Sequence, residues 1–281
     1  MRLNLIRTQY QNIKTKNNTK IKMPDCLILE IKDKTAYITL NRPDVYNAFN
    51  DELSYALQDA LKEATRNDEV RVVVLTGAGK AFCSGQDLKD ISQKENRSLR
   101  DSIDKRYNPI IKAMRTMPKP IICRLNGVAA GAGCSLALAS DMVIAAENAS
   151  LIEIFINVGL VLDSGSSYFL PRVVGSQKAF ELATMGSKVT AAQALELGIV
   201  TKVVPAEELD AAVETVVSFY RNAPTKAVGL MKKMLNKSFN SDLDTMLEYE
   251  ANCQEIAGNS DDYKEGVKAF NEKRKPAFEG K

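Results

Sequence analysis

Histidine is absent from all 281 residues. That excludes Ser–His–Asp and Cys–His nucleophilic catalysis and every histidine-based metal site. Any proton transfer must run through Asp, Glu, Lys, Tyr or Cys. Cysteine is sparse: Cys26, Cys83, Cys123, Cys134 and Cys253, with no C-x-x-C spacing. Several lie in apolar runs, as buried free thiols do. A reducing, cytoplasmic setting without structural disulfides or metal is therefore expected. No run of eighteen apolar residues occurs, so no membrane span and no membrane partner is expected. Strong charge of one sign is missing too. The net charge is +3, and Arg2, Arg7, Lys14, Lys16, Lys20 and Lys22 more than account for it, leaving about −3 for the rest. A nucleic-acid partner is not expected of such a body.

What is present is ordinary globular composition, 45% hydrophobic and 26% charged, in a chain long enough for a large core. Residues 1–22 carry those six cations and no acid; they read as a disordered or non-native extension. Short apolar and β-branched runs at Cys26–Glu30 and Thr35–Leu40 predict two strands about a tight turn. Leu53, Ala56, Leu57, Ala60, Leu61 and Ala64 fall at helical spacing after Asn50. Arg71–Thr76 and Pro120–Leu125 are continuous apolar runs, as in strands buried on both faces. A helix is expected between them, over Leu99–Thr116. Ala132–Ala139 predicts a helix and Met142–Ala146 a strand. Beyond residue 165 the pattern is almost wholly helical. An α/β layered core over 23–203 and a helical region over 204–281 follow from this alternation.

Two loops leave buried strands where ligands tend to bind. The first is Ala81-Phe-Cys-Ser-Gly-Gln-Asp87, where Gly85 allows close backbone approach. The second, Asn126-Gly-Val-Ala-Ala-Gly-Ala-Gly-Cys134, is a run of tiny residues feeding a helix N-terminus, which presents open N–H groups. Side by side, such loops can give two N–H donors to one oxygen. Asp163 lies between Leu160-Val-Leu162 and Ser164-Gly-Ser166. Apolar company should desolvate it and raise its pKa toward that of a general base. As a plain alternative it would N-cap a helix starting at Ser164.

Leu40-Asn-Arg-Pro43, Phe82-Cys-Ser-Gly-Gln-Asp-Leu88, Asn126-Gly-Val-Ala-Ala-Gly-Ala-Gly133 and Gly159-Leu-Val-Leu-Asp-Ser-Gly165 resemble the signature blocks of the crotonase (enoyl-CoA hydratase/isomerase) family, a likeness running from about residue 25 to the C-terminus. The resemblance implies an α/β, crotonase-like spiral of ββα units with a C-terminal helical region, assembled as a homotrimer or dimer of trimers. It implies an acyl-CoA thioester substrate, with coenzyme A part of the substrate and no separate cofactor. The thioester oxygen would sit between the N–H groups of Gln86 and Ala132, flanked by Ser84, Gly85 and Gly131. Asp87, Leu88 and Lys89 would lie along the CoA moiety. Tyr46, Tyr107, Asn108, Phe155, Ser164 and Tyr168 are candidates for the acyl pocket. The two glutamates of the family's hydratases are Ser135 and Phe155 here, whereas Asp163 stands where several family isomerases carry their acid/base. The expectation is an isomerase, moving a 3-enoyl-CoA double bond to C2 or rearranging a ring-epoxide phenylacetyl-CoA. The alternatives are a hydratase, an inactive CoA-binding member, or a hydrolase or dehalogenase with an aspartate nucleophile; the family's dehalogenase also uses a histidine.

Overall fold

The computed structural model describes residues 12–15, 18–92 and 98–281. The chain opens with β1 (Asn12–Thr15) and β2 (Asn18–Ile21), paired antiparallel and continued by β3 (Leu27–Lys32) and β4 (Thr35–Leu40). Part of the stretch expected to stand outside the fold thus pairs with it. Ile21, opposite Leu29, is buried against the core. Residues 1–11 and 16–17 lie outside the described residues.

Helix α1 (Asp51–Arg66) follows. Asn50 accepts the Leu53 N–H at 2.9 Å, and Asp51 and Glu52 occupy the first turn, where the helix dipole favours acids. Its buried stripe is the one predicted, with Leu53, Leu57 and Leu61 fully enclosed, each worth about 2 kcal/mol of burial. Next come β5 (Val72–Gly77), β6 (Ala81–Cys83), α2 (Leu88–Ser92), α3 (Leu99–Ser102) and α4 (Asn108–Thr116). The predicted 99–116 helix is interrupted by a π-helical turn at Ile103–Tyr107. The core is completed by β7 (Ile121–Leu125), β8 (Val128–Ala130), α5 (Ala132–Leu138), β9 (Met142–Ala146) and β10 (Ser150–Ile152). Then come α6 (Ser166–Val174), α7 (Ser176–Met185), β11 (Lys188–Thr190), α8 (Ala191–Glu196) and β12 (Lys202–Val204). Helices α9 (Leu209–Arg221), α10 (Thr225–Ser238), α11 (Leu243–Gly258) and α12 (Asp261–Asn271) end the fold.

The strands form two sheets. The larger runs β1-β2-β3-β4-β5-β7-β9-β12 and the smaller β11-β10-β8-β6. Each of β5–β6, β7–β8 and β9–β10 sends its first strand to the large sheet and its second to the small one. This repetition is the spiral that the sequence resemblance implied. The apolar runs are continuous because the large sheet is covered on both faces. Val73 and Leu75 point into the main core, whereas Val72, Val74, Ile122 and Ile144 meet Leu209, Val213 and Val217 of α9. Helix α10 is tied to the core by Lys232, whose Nζ donates to Asp141 at 2.6 Å. Among the described residues no helix is long and apolar enough to cross a membrane.

Candidate active site

The spiral carries β6 and β8 side by side, so the loops leaving them meet. Gly85 has φ +92°, and a Cβ there would lie 2.8 Å from the Ala130 carbonyl and 3.5 Å from the Ala132 nitrogen. Only glycine allows that approach. Gly133 is equally constrained, since a Cβ would lie 2.1 Å from the Cys83 carbonyl. These two contacts clamp the Ser84–Asp87 loop against the start of α5.

The clamp leaves two N–H groups open. The Phe49 N–H donates to Gly85 and Asp87 N–H donates to Phe49. Backbone directions alternate along such a bridge, so the Gln86 N–H between them points away from Phe49, and it has no acceptor among the described residues. Ala132 is the first residue of α5, and its N–H is likewise without one. Gly131, at φ +51°, turns the chain into α5 and donates to Ile152.

The side chain of Gln86 anchors the first donor. Its Nε2 donates to Phe49 O at 2.7 Å, and its Oε1 accepts from Arg106 at 2.7 Å and from the Tyr107 hydroxyl at 2.5 Å. Arg106, only 1% exposed, also reaches Asp51 at 3.2 Å. Tyr107 packs edge-on to Phe49 and therefore braces Gln86 from behind, where the sequence suggested a pocket wall. Asn47, also buried, donates to the carbonyls of Ala78, Ala81 and Phe82 and pins the loop before β6. Neither Asn47 nor Arg106 was singled out from the sequence. Arg106 shares helical spacing with Ile103, Tyr107 and Ile110; a cation on an apolar face was the available signal.

Asp163 is half-buried. Burial pushes its carboxyl above the ordinary carboxylate range, while the Ser164 hydroxyl, 2.8 Å from Oδ1, and the charge of Arg106 pull it partly back. The source of that burial differs from the sequence argument. Leu160 and Val161 are exposed, Val161 to 85%; the desolvation comes from tertiary packing. Asp163 is not a helix cap either: Gly165 precedes the first turn of α6, and no side-chain cap is present there. Ser164 sits at φ +51°, which turns its hydroxyl onto its neighbour's carboxylate.

Ser135 joins the two halves. Its Oγ lies 3.2 Å from the Gly131 carbonyl, 3.2 Å from the Asp163 carbonyl and 2.8 Å from Ser166 Oγ. Ser166 Oγ in turn lies 2.8 Å from Glu153 Oε1. The Phe155 ring is buried beside Gly131, where an added Cβ would touch it at 3.9 Å.

Other candidates stand apart. Ser84 bonds back to Val45 and Tyr46. The Asp87 carboxylate pairs with Arg42 at 3.0 Å and accepts the Lys89 and Asp90 N–H groups. Burial raises its pKa, but these partners outweigh burial and hold it below the usual range; it caps α2, with its charge already committed. Leu88 and Lys89 are exposed. The Asn108 amide donates to Asp104 at 3.2 Å, near the surface. Tyr46 is exposed, and Tyr168 is stacked under Arg172.

The open amide pair at Gln86 and Ala132, with a desolvated carboxyl tied to the same loop, suits stabilisation of an enolate beside an acid/base. Residues 30–281 match the family described as enoyl-CoA hydratase/isomerase. The chain belongs to this family. It is 41% identical over 262 residues to 1,2-epoxyphenylacetyl-CoA isomerase of Escherichia coli, covering 92% of this chain and 100% of that one. A protein named probable enoyl-CoA hydratase from Rhodobacter capsulatus is 38% identical over 252 residues, covering 90% and 97%. The crystal structure of an enoyl-CoA hydratase from Bacillus anthracis superposes with a TM-score of 0.85 at 30% identity, over 98% of this chain and 100% of that one. The α/β crotonase fold, with two mixed sheets and C-terminal helices, is therefore the fold of this family member. Both named activities act on the acyl part of a coenzyme A thioester, so the family alone leaves hydratase and isomerase open.

Proposed function

We propose that this protein is an acyl-CoA isomerase that shifts a 3-enoyl-CoA double bond to C2, using Asp163 as its one acid/base. The observation that carries the reading is the pairing of a desolvated, ionisable Asp163 with residues unfit for hydration at both hydratase positions. The Ser135 hydroxyl is engaged by two carbonyls and Ser166. Phe155 is a buried hydrocarbon ring. Neither can take a proton from water.

The thioester oxygen lies between the Gln86 and Ala132 N–H groups. The Asp163 carboxylate takes a proton from C2, and the electron pair delocalises over C2–C4 and the oxygen. The negative oxygen is held by the two amides, each worth about 3–4 kcal/mol in such a role. The Asp163 carboxylic acid then delivers the proton to C4, leaving the double bond between C2 and C3 and the carboxylate regenerated. Phe155 keeps water away from the dienolate. The same devices could serve a ring-epoxide thioester, the substrate class in the name of the relative at 41% identity. A trimeric assembly belongs to the same reading: Leu235, Phe239 and Leu243 are exposed on and beside α10 and α11, apolar area that an isolated protomer rarely leaves bare.

Incubating the purified protein separately with 3-enoyl- and 2-enoyl-CoAs of graded chain length tests the activity. Conjugation of the 3-enoyl series without 3-hydroxyacyl-CoA product is expected. Hydration of the 2-enoyl series at a comparable rate would instead assign a hydratase.

The pH dependence carries a sign. Asp163 works as a base only when ionised, so kcat/KM rises with pH through its raised pKa, above the ordinary Asp value of about 4. Arg106 holds that pKa down. Arg106→Gln should therefore move the acid limb to higher pH; an unmoved limb would show that Arg106 is not coupled to the base.

A further inference from the structure

Glu153, whose carboxyl feels the charge of Asp163, is left idle by this mechanism. It sits at the end of β10, only 4% exposed. Among the described residues its Oε2 has no hydrogen-bond partner of good geometry, the Ser166 hydroxyl and the nearby Cys134 thiol being the donors that act on the carboxyl. A cavity of about 10 Å³ adjoins it, lined by Leu138, Leu151, Leu170, Leu182 and Ile199 among others. That is room for one water at most. The titratable groups facing it are the Cys134 thiol of α5 and the carboxyl of Asp163. Helix α7, the turn after it and β11 present Leu182, Ser187 and Val189, and no cation faces it among the described residues. An unpaired carboxylate in such a place is costly.

Counting protons gives the same answer. Three contacts link Glu153 Oε1 to Ser166, Ser166 to Ser135, and Ser135 to the Asp163 carbonyl. Two serines supply two protons, so all three contacts are hydrogen bonds at once only when Glu153 supplies the third; with Ser166 donating to Oε1 instead, one of the remaining contacts lacks a proton. With a neutral Glu153 the chain runs one way. The carboxyl donates to Ser166, Ser166 donates to Ser135, and Ser135 shares its proton between the Asp163 and Gly131 carbonyls. With an ionised Glu153 both serines turn round: Ser166 donates to the carboxylate, Ser135 donates to Ser166, and the two carbonyls lose their donor. Those carbonyls belong to the base loop and to the turn that presents the Ala132 N–H.

We propose that Glu153 is a positioning residue which, as a neutral carboxyl, locks the Asp163 loop to the Gly131–Ala132 turn through Ser166 and Ser135, and releases them when it ionises. Burial, opposed by the serine and thiol contacts and aided by the Asp163 charge, pushes Glu153 up to about 7, so the release falls within a working pH range. The resulting rate profile is bell-shaped: the acid limb reports Asp163 ionising and the alkaline limb Glu153 ionising, as macroscopic values of a coupled pair. Cys134 lies outside it, since burial and Glu153 hold its thiol well above its ordinary value.

The effect on rate rests on the isomerase reading; the neutral carboxyl does not. The test therefore has two arms. In the first, kcat and KM for a 3-enoyl-CoA are followed against pH in wild type, Glu153→Gln, Glu153→Ala and Ser166→Ala. Glu153→Ala and Ser166→Ala should lose about 10–100-fold in kcat, the usual cost of a displaced reacting group, with KM little changed. Glu153→Gln, whose amide donates to Ser166 at every pH, should restore kcat and remove the alkaline limb. An alkaline limb retained in Glu153→Gln, or full kcat in Ser166→Ala, would overturn the proposal. In the second arm, infrared difference spectra of the substrate-free protein should show a protonated-carboxyl band that disappears as pH rises and is missing in Glu153→Gln. Absence of that band from wild type on the acid side would overturn it as well. A protein that shows the band but leaves 3-enoyl-CoA unconverted would sink the isomerase reading alone.

Discussion

Asp163→Asn should lower kcat for 3-enoyl-CoA conjugation by at least about 100-fold, the usual scale for a lost general base, while CoA ligands still bind. The substitution is close to isosteric, and the Ser164 hydroxyl can still donate to the amide oxygen that replaces Oδ1. The tether from Ser135 to residue 163 is to the backbone carbonyl, so it survives. What disappears is the carboxylate's basicity, since an amide oxygen is too weak a base to take the C2 proton. Binding rests on the Gln86 and Ala132 amides, which the change leaves in place. A loss in kcat with unchanged ligand affinity therefore separates chemistry from folding. Full activity in Asp163→Asn would mean that another group moves the proton.

Gly133→Ala should be the most disruptive small substitution near the site. The new Cβ would stand 2.1 Å from the Cys83 carbonyl and 2.8 Å from the Cys83 side chain. Backbone cannot yield as a flexible side chain can, so β6 and α5 must part. Overpacking of this kind costs up to about 3 kcal/mol, a drop in Tm of about 6–12 °C at 2–4 °C per kcal/mol for a chain of this size. Because β6 leads into Gln86 and α5 begins at Ala132, the two N–H donors separate as well, and kcat falls beyond what the folded fraction explains. Thermal unfolding and kcat measured on the same sample check both parts. A variant with wild-type Tm and kcat would show that the loops are not in the tight contact described here.

The sequence carried the layered core because its signals are periodic or continuous. The stripe of α1, the both-faces-buried β5 and β7, and each helix beyond residue 175 repeat over enough residues to show. Strands β10, β11 and β12 are three residues each, too short for an alternating pattern; β10 pairs with β8, β12 with β9, and β11 in turn with β10. The tiny-residue loop after β7 was readable as a candidate donor site or as close helix–strand packing through glycine, and Gly133 packs in the second way; that it contains strand β8 was not readable. Asp163 was legible by motif, but Leu160 and Val161, two of the apolar neighbours invoked for its desolvation, face solvent. Ser135 was legible only as a missing glutamate, and Phe155 as a missing glutamate and a candidate pocket residue. The positive role of Ser135 depends on Asp163, 28 positions away, and on Ser166. Contacts of that kind are set by the spiral and leave no local trace.

The most direct test of one carboxylate serving both carbons is the fate of the proton it carries. A 3-enoyl-CoA deuterated at C2 and converted in ordinary water should give 2-enoyl-CoA with deuterium at C4 from the wild-type enzyme, and Asp163→Asn should give almost no product. Product with only protium at C4, formed as fast by Asp163→Asn as by wild type, would contradict the account.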